Sequence, residues 1–363
     1  MRQLPIVVAC LLGCSSHQSV PGDASVLTVD ATIPVDGSVD AILGASWQKL
    51  AGAPTIAGKQ DDIFFLDAQV GWSVNGLGRI YHTTDGGMTW EKQLDQPGTY
   101  FRAISFLDAQ HGFASNIGPD YYPGVTDTNP LYRTSDGGSS WQPITSFTGP
   151  TPKGICNFNR IDATHIVASG RVGGPSFFAS SKDGGASWTT TELTSQIPML
   201  VDAYFSSAED GFVTGGSSTQ SDSVCTILHT ADGGATWQTA FMSQASGEMC
   251  WKLSFPSSKV GYASVLPFSG GQSSFIKTTD GGATWQELPF LDDTYSGLGI
   301  GFIDESIGWI GGEAKSKPAY RTHDGGQSWE ADMSLGPYIN RFRFVDAHTA
   351  YAIGQSIYKL EIP

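Results

Sequence analysis

The chain has 363 residues, with 45 glycines, 10 tryptophans and only 15% charged side chains. So much glycine and so little charge argue against a helical bundle, which needs Ala, Leu, Glu and Lys in bulk, and 40% apolar residues argue against a disordered chain. A formal net charge of −15 argues against nucleic acid as a partner, because phosphate binding needs basic surface.

In chain order, residues 1–13 come first. One Arg precedes an apolar run from Leu4 to Leu12, too short for the roughly 20 residues a bilayer span takes. The run has the form of a secretory signal. Leu11-Leu12-Gly13-Cys14 resembles the lipobox of bacterial lipoproteins, which implies cleavage before Cys14 and lipidation of its thiol. Ser15 in place of Asp after that Cys implies sorting to the outer membrane. Residues 14–45 carry Asp but no Lys or Arg and have no sustained period, so they read as a flexible tether. The expectation is an exported protein held on the envelope by a lipid anchor at Cys14.

From residue 46 to 363 one motif organises the chain. It reads TTDGGMTW at 83–90 and recurs five more times, with its Asp at positions 85, 136, 183, 232, 280 and 324. A period of this size marks a propeller or solenoid. Asp accepts backbone N–H groups within its own turn, the two Gly supply positive φ, and Trp starts the next strand. Upstream lie further strands, in blade one DIFFLD (62–67), VGWSVNG (70–76) and RIYHT (79–83). Four strands per repeat describe a propeller blade. After the sixth motif, residues 340–361 supply three more strands without a motif or a final Trp strand. Ser46-Trp47-Gln48-Lys49-Leu50 matches that missing strand. The predicted fold is an all-β, seven-bladed β-propeller of four-stranded antiparallel blades, its ring closed by the N-terminal strand 46–50, which completes the last blade.

The six motifs resemble the Asp-box, or BNR, repeat of sialidase-like propellers, a group that includes sialidases, xyloglucanases, sortilin and the photosystem II stability/assembly factor. The spacing and blade count are most similar to the assembly-factor branch. That resemblance implies a non-enzymatic scaffold that assists assembly of a membrane complex. It also implies that Asp85, Asp136, Asp183, Asp232, Asp280 and Asp324 are structural. A catalytic residue is needed once or twice, not six times at a fixed period. By the same resemblance the boxes lie away from the functional face, which carries the loops joining strands two to three and blade to blade.

On that face the aromatic side chains Tyr100, Tyr121, Tyr122, Phe268, Tyr295 and Tyr338 are expected to ring the mouth, with Arg102 and Arg341 beside them. Aromatic, Gly- and Ser-rich loops on a rigid frame suit binding. The sialidase resemblance implies a second reading, in which Arg102, Arg171 and Arg341 clamp a substrate carboxylate and Glu248 pairs with Tyr338 or Tyr295 as base and nucleophile. The seven His show no metal spacing, Asp292-Asp293 and Asp304-Glu305 read as solvated loops rather than calcium ligands, and no cofactor motif is present. Cys225 and Cys250 are the expected disulfide, with Cys156 an alternative partner for either. The function expected is a monomeric envelope protein that binds a protein or glycan through its loop face, the alternative being a sialidase-like glycoside hydrolase.

Overall fold

The structure, a computed structural model, describes residues 44–362 apart from 269–272, 292–294, 314–316 and 347. The leader, Cys14 and the tether up to residue 43 lie outside the described residues, as do Asp292 and Asp293.

Seven four-stranded antiparallel sheets form the ring. Blade one runs Asp62–Phe65, Gly71–Asn75, Arg79–Thr83, Glu91–Asp95 from the axis outward. Blades two to six repeat this order, with inner strands Phe101–Phe106, Asn157–Arg160, Met199–Phe205, Glu248–Ser254 and Gly297–Phe302. Blade seven takes its inner three strands, Arg341–Phe344, Thr349–Ile353 and Ile357–Glu361, from the C-terminal end and its outer strand from the N-terminal side. That outer strand is shorter than the sequence suggests: only Gln48–Lys49 pair, with Lys359 and Tyr358. Trp47 anchors it, edge-on to Trp309 of blade six with ring centroids 5.5 Å apart.

Each box is one hydrogen-bonded knot between the third and fourth strands. Asp85 Oδ1 accepts the Thr83 hydroxyl at 2.8 Å and the Thr89 amide at 2.9 Å, while Oδ2 accepts the Thr89 hydroxyl at 2.6 Å. Thr83 Oγ1 in turn accepts the Gly87 amide at 2.9 Å. The same bonds recur at Asp136, Asp183, Asp232, Asp280 and Asp324. Both box glycines have positive φ. The second must also lack a Cβ, since one on Gly185 would overlap the Phe113 ring of the preceding blade.

The box Trp is a wedge between blades. Trp188 meets Phe113 of blade two at 5.5 Å and Trp237 meets Phe178 of blade three at 5.2 Å, both edge-on, the geometry aromatic pairs prefer. The wedges differ in depth: Trp47, Trp188 and Trp237 are buried, whereas Trp90, Trp141, Trp285 and Trp329 are half-buried. Closer to the axis, a side chain on one inner strand takes an amide of the next. Ile104 donates to Asp62 Oδ2 at 3.0 Å, Phe205 to Asn159 at 2.7 Å, Leu253 to Asp202 at 2.9 Å and Phe302 to Ser254 at 3.0 Å.

Trp188→Ala should cost about 3–5 kcal/mol in urea denaturation, and Trp90→Ala less, because a half-buried ring leaves a smaller cavity. The box carboxyls set an acid limit. Hydroxyl and amide donors from Thr89, Ser140, Ser187, Thr236 and Thr284 hold Asp85, Asp136, Asp183, Asp232 and Asp280 down at about 2. Burial pulls Asp324 the other way, and the Ser328 hydroxyl and amide outweigh it, so it too is lowered. A depressed folded pKa stabilises above the unfolded value and loses that contribution as pH falls through the folded one. Stability followed by tryptophan fluorescence should therefore be flat near pH 6 and collapse between about pH 4 and pH 2.

Candidate functional site

The face opposite the boxes holds the connections into each inner strand and the loops between strands two and three. There the residues nearest the axis form one buried apolar cluster drawn from blades two to six. It includes Tyr100, Ile117, Met199, Met249, Trp251 and Leu298, and Tyr121, Tyr122, Val125 and Phe268 pack on it as a partly exposed rim. Trp251, fully buried, is its largest side chain. It comes from a register break between Cys250 and Leu253 on blade five's inner strand. Such a bulge re-aims side chains, and here it delivers Trp251 and Lys252 to the core of the ring.

Below this plug the inner strands carry charge. Asp61 Oδ1 receives Lys59 Nζ at 3.0 Å, Arg102 Nη1 at 3.0 Å and the Tyr100 hydroxyl at 3.3 Å. Asp62 Oδ1 faces Arg341 Nη1 at 2.8 Å and Arg343 Nη2 at 3.0 Å. Arg343 Nε also donates to the Ile63 carbonyl at 2.9 Å, so these pairs join blade seven to blade one. All these groups are buried. Charges with so little solvent must be paired and hydrogen-bonded to be tolerated. Burial is the main cause of the Lys59 shift, down to about 7, with the Asp61 carboxylate opposing it and Arg102 and Lys252 adding to it. Burial, then Asp61, raises the Tyr100 hydroxyl well above its ordinary value.

The structure brings together four of the six expected mouth aromatics: Tyr100, Tyr121, Tyr122 and Phe268. Tyr100 stands beneath the rim, its ring 5.1 Å from that of Tyr122. Tyr338 is half-buried on the connection into blade seven with φ +63°. Tyr295 does not face the mouth. It is 1% exposed, packed between Phe290 and Tyr320, and its hydroxyl donates to backbone carbonyls of Ile310 and Pro318.

The three arginines do not form a substrate clamp. Arg102 and Arg341 are committed to Asp61 and Asp62, and Arg171 ties its own loop to the long loop of blade two by donating to the carbonyls of Gly174 at 2.7 Å, Ile117 at 3.2 Å and Pro119 at 2.5 Å. A buried guanidinium finds its partners inside the fold, and the sequence does not show which. Glu248, the expected partner of Tyr338 or Tyr295, is the first residue of blade five's inner strand and 3% exposed. Burial raises its pKa; Ser243 opposes the shift and the Glu287 carboxylate adds to it. Tyr295 is not its partner. Asp304 closes a turn by accepting the amides of Ser306 and Ile307, both at 2.7 Å. Cys225 and Cys250 form a disulfide with Cα atoms 4.6 Å apart, stapling blade four's third strand to blade five's inner strand. Cys156 is buried and accepts the Val172 amide.

Lys59, Asp61, Asp62, Trp251 and Lys252 were not legible as site residues. One signal was available: the repeat aligns Asp62, Arg102, Asp202, Lys252, Arg341 and Arg343 onto inner strands, where charge must be internally paired.

The chain is thus a seven-bladed β-propeller built on the BNR/Asp-box repeat, whose family model matches residues 81–92. It is similar to xyloglucanase Xgh74A of Acetivibrio thermocellus, 26% identical over 209 residues that make up 48% of this chain and 23% of that enzyme, so the match spans under a quarter of the curated relative. Among solved structures it is similar to YCF48 from Cyanidioschyzon merolae, with TM-score 0.66 and 17% identity over 87% of this chain and 99% of that one. It is also similar to a YCF48 bound to D1 peptide, with TM-score 0.62 and 19% identity over 88% and 95%. At those identities the structural likeness speaks for the fold.

The Lys59 environment is testable by pH. The unfolded chain keeps the lysine proton to about 10.5 and the folded protein releases it near 7. Between these values the unfolded state binds more protons, so stability rises with pH. Urea midpoints should increase from pH 7 to 9, and Lys59→Met should remove that increase.

Proposed function

We propose that the protein is a non-enzymatic binding scaffold of the cell envelope that takes a protein partner on its loop face. The observation that carries this reading is the apolar, aromatic mouth. Tyr121, Tyr122 and Phe268 form a partly exposed rim over a floor of Tyr100 and Trp251. Large rigid aromatics with a polar edge are what protein interfaces use as anchors. Arg102 and Arg341 are paired with Asp61 and Asp62, and Arg171 with backbone carbonyls, which removes the main support for a carboxylate-binding catalytic site. A propeller of similar fold is known with a D1 peptide bound. The export signal and the lipobox at Cys14 support an outer-membrane lipid anchor, with the tether lifting a monomeric propeller off the bilayer.

The second reading is a glycoside hydrolase. The similarity to a xyloglucanase favours it over the sialidase version. Two measurements separate the readings. Envelope extract passed over immobilised protein should leave a bound protein that is retained at least tenfold less by Tyr121→Ser/Tyr122→Ser, and xyloglucan and sialyllactose should stay intact. Sugar release at enzymatic rates, with no retained protein, would establish the hydrolase instead.

A further inference from the structure

A second site lies on the box side, between blades three and four, and stands independently of the loop-face reading. At matching positions of the third and fourth strands, six of the seven blades set two long side chains opposite each other. The pairs are His82 with Glu91, Arg133 with Gln142, His229 with Gln238, Lys277 with Gln286, Arg321 with Glu330 and Lys359 with Gln48. Blade three pairs Ser180 with Thr189 in the same place.

Two residues along the fourth strand, Thr191 stands opposite Phe178. Side chains two apart on a strand share a face, so Phe178, Ser180, Thr189 and Thr191 make one patch. The patch faces blade four, since the Phe178 ring meets Trp237 at 5.2 Å. The position of Thr191 carries Leu50 in blade seven and Gln93 in blade one, and both fill the gap to the next box. Leu50 Cδ1 lies 2.7 Å from where a Cβ on Gly87 would stand, and Gln93 Nε2 donates to the Gly137 carbonyl at 3.0 Å. Thr191 is too short to do the same. With Ser180, Thr189 and Thr191 all short, a cleft of about 390 Å³ opens between the patch and the Asp232-Gly233-Gly234 turn, within the ~300–1,000 Å³ range of small-ligand sites.

The long chains are replaced by hydroxyls rather than by alanine, so the cleft gains volume and keeps polar walls. Among the described residues no hydrogen bond within the fold engages the hydroxyls of Ser180, Thr189 or Thr191, and all three residues are exposed or half-buried. Asp183 and Asp232 stand at the cleft with acceptor capacity to spare. Their Oδ2 atoms take the box hydroxyls of Ser187 at 2.5 Å and Thr236 at 2.6 Å, and each oxygen has a second lone pair. Lys182 adds a donor. The carboxylates of Asp183, Asp232 and the neighbouring Glu209 oppose an anion, and Lys182 already holds the place of a cation beside Gly233. What the cleft suits is an uncharged molecule dense in hydroxyls. We propose that the cleft between blades three and four is a binding site for a neutral pyranose sugar. Each sugar hydroxyl both donates and accepts, which matches a wall of hydroxyls, carboxylates and one ammonium, while the C–H face of the ring lies against the Thr191 methyl and the edge of Phe178.

The test is a titration of the ¹⁵N-glycine-labelled protein with the methyl glycosides of glucose, galactose, mannose and N-acetylglucosamine, followed at the Gly233 and Gly234 amides. Gly118, in the long loop that carries Tyr121, is the loop-face reference, and glycerol is the flexible polyol for comparison. Thr189→Gln/Thr191→Leu fills the cleft with the residues blade seven carries at Gln48 and Leu50. Thr191→Val keeps the volume and removes one hydroxyl. The expected result is saturable shifts at Gly233 and Gly234 with at least one glycoside while Gly118 stays fixed. Affinity should fall at least tenfold in the filled variant and about threefold to tenfold in Thr191→Val. The absence of a saturable shift with all four glycosides, shifts centred on Gly118, or undiminished affinity in the filled variant would overturn the site. Undiminished affinity in Thr191→Val, or glycerol binding as tightly as the best glycoside, would overturn the assignment to a sugar held through its hydroxyls.

Discussion

The strand ladders of a propeller run within each blade. Between blades only scattered backbone bonds cross, such as Leu200 to Arg171 and Gln60 to Gly354, so the ring coheres mainly through side chains, and each sheet must bury both faces against its neighbours. Two interlocking devices do this here. Near the axis, Asp62, Asn159, Asp202 and Ser254 accept an amide from the following inner strand. Farther out, the box Trp of blades three to six wedges against an aromatic ring of the blade before it. The glycine pair makes the second device possible, since a side chain on Gly185 or Gly234 would occupy the space of Phe113 or Phe178.

Closure is the weakest point of such a ring, and the strongest polar interactions sit there. Blade seven meets blade one through Arg343 and Arg341 on Asp62 and through Asn340 donating to the Asp61 carbonyl at 2.9 Å. The outer join is short, two paired residues stiffened by Trp47. Buried ion pairs of this kind contribute little net stability over an apolar substitute, but they fix which strand meets which, because a misregistered closure would strand the charges of Asp62, Arg341 and Arg343. The same chemistry that closes the ring occupies Arg341, one of the three arginines that a catalytic reading would need.

The two faces are built differently as a result. The box face is repetitive, each box Asp being bonded within its own turn. The loop face is irregular, with Trp251 buried in its apolar cluster. The candidate site is built at departures from the repeat: a bulge at Cys250–Leu253 and a long loop carrying Tyr121 and Tyr122.

Much of the fold was legible because it depends on local chemistry. The box turn needs Asp, Gly and Gly at fixed offsets, its period counts blades, and Trp47 without a box of its own identifies the closing strand. All of these survive in a linear string. The sequence by itself therefore determined the propeller, its seven blades and the structural role of the box Asp residues. Partnership across the ring was not legible. Asp62 and Arg341 are 279 residues apart, and only closure places them at 2.8 Å. Tyr295 and Glu248 carry the same side chains whether exposed or buried, and burial is decided by what neighbouring blades bring against them. The tertiary structure alone decided which arginines are committed and which tyrosines reach the mouth, because each depends on the volume and charge supplied by a different part of the chain.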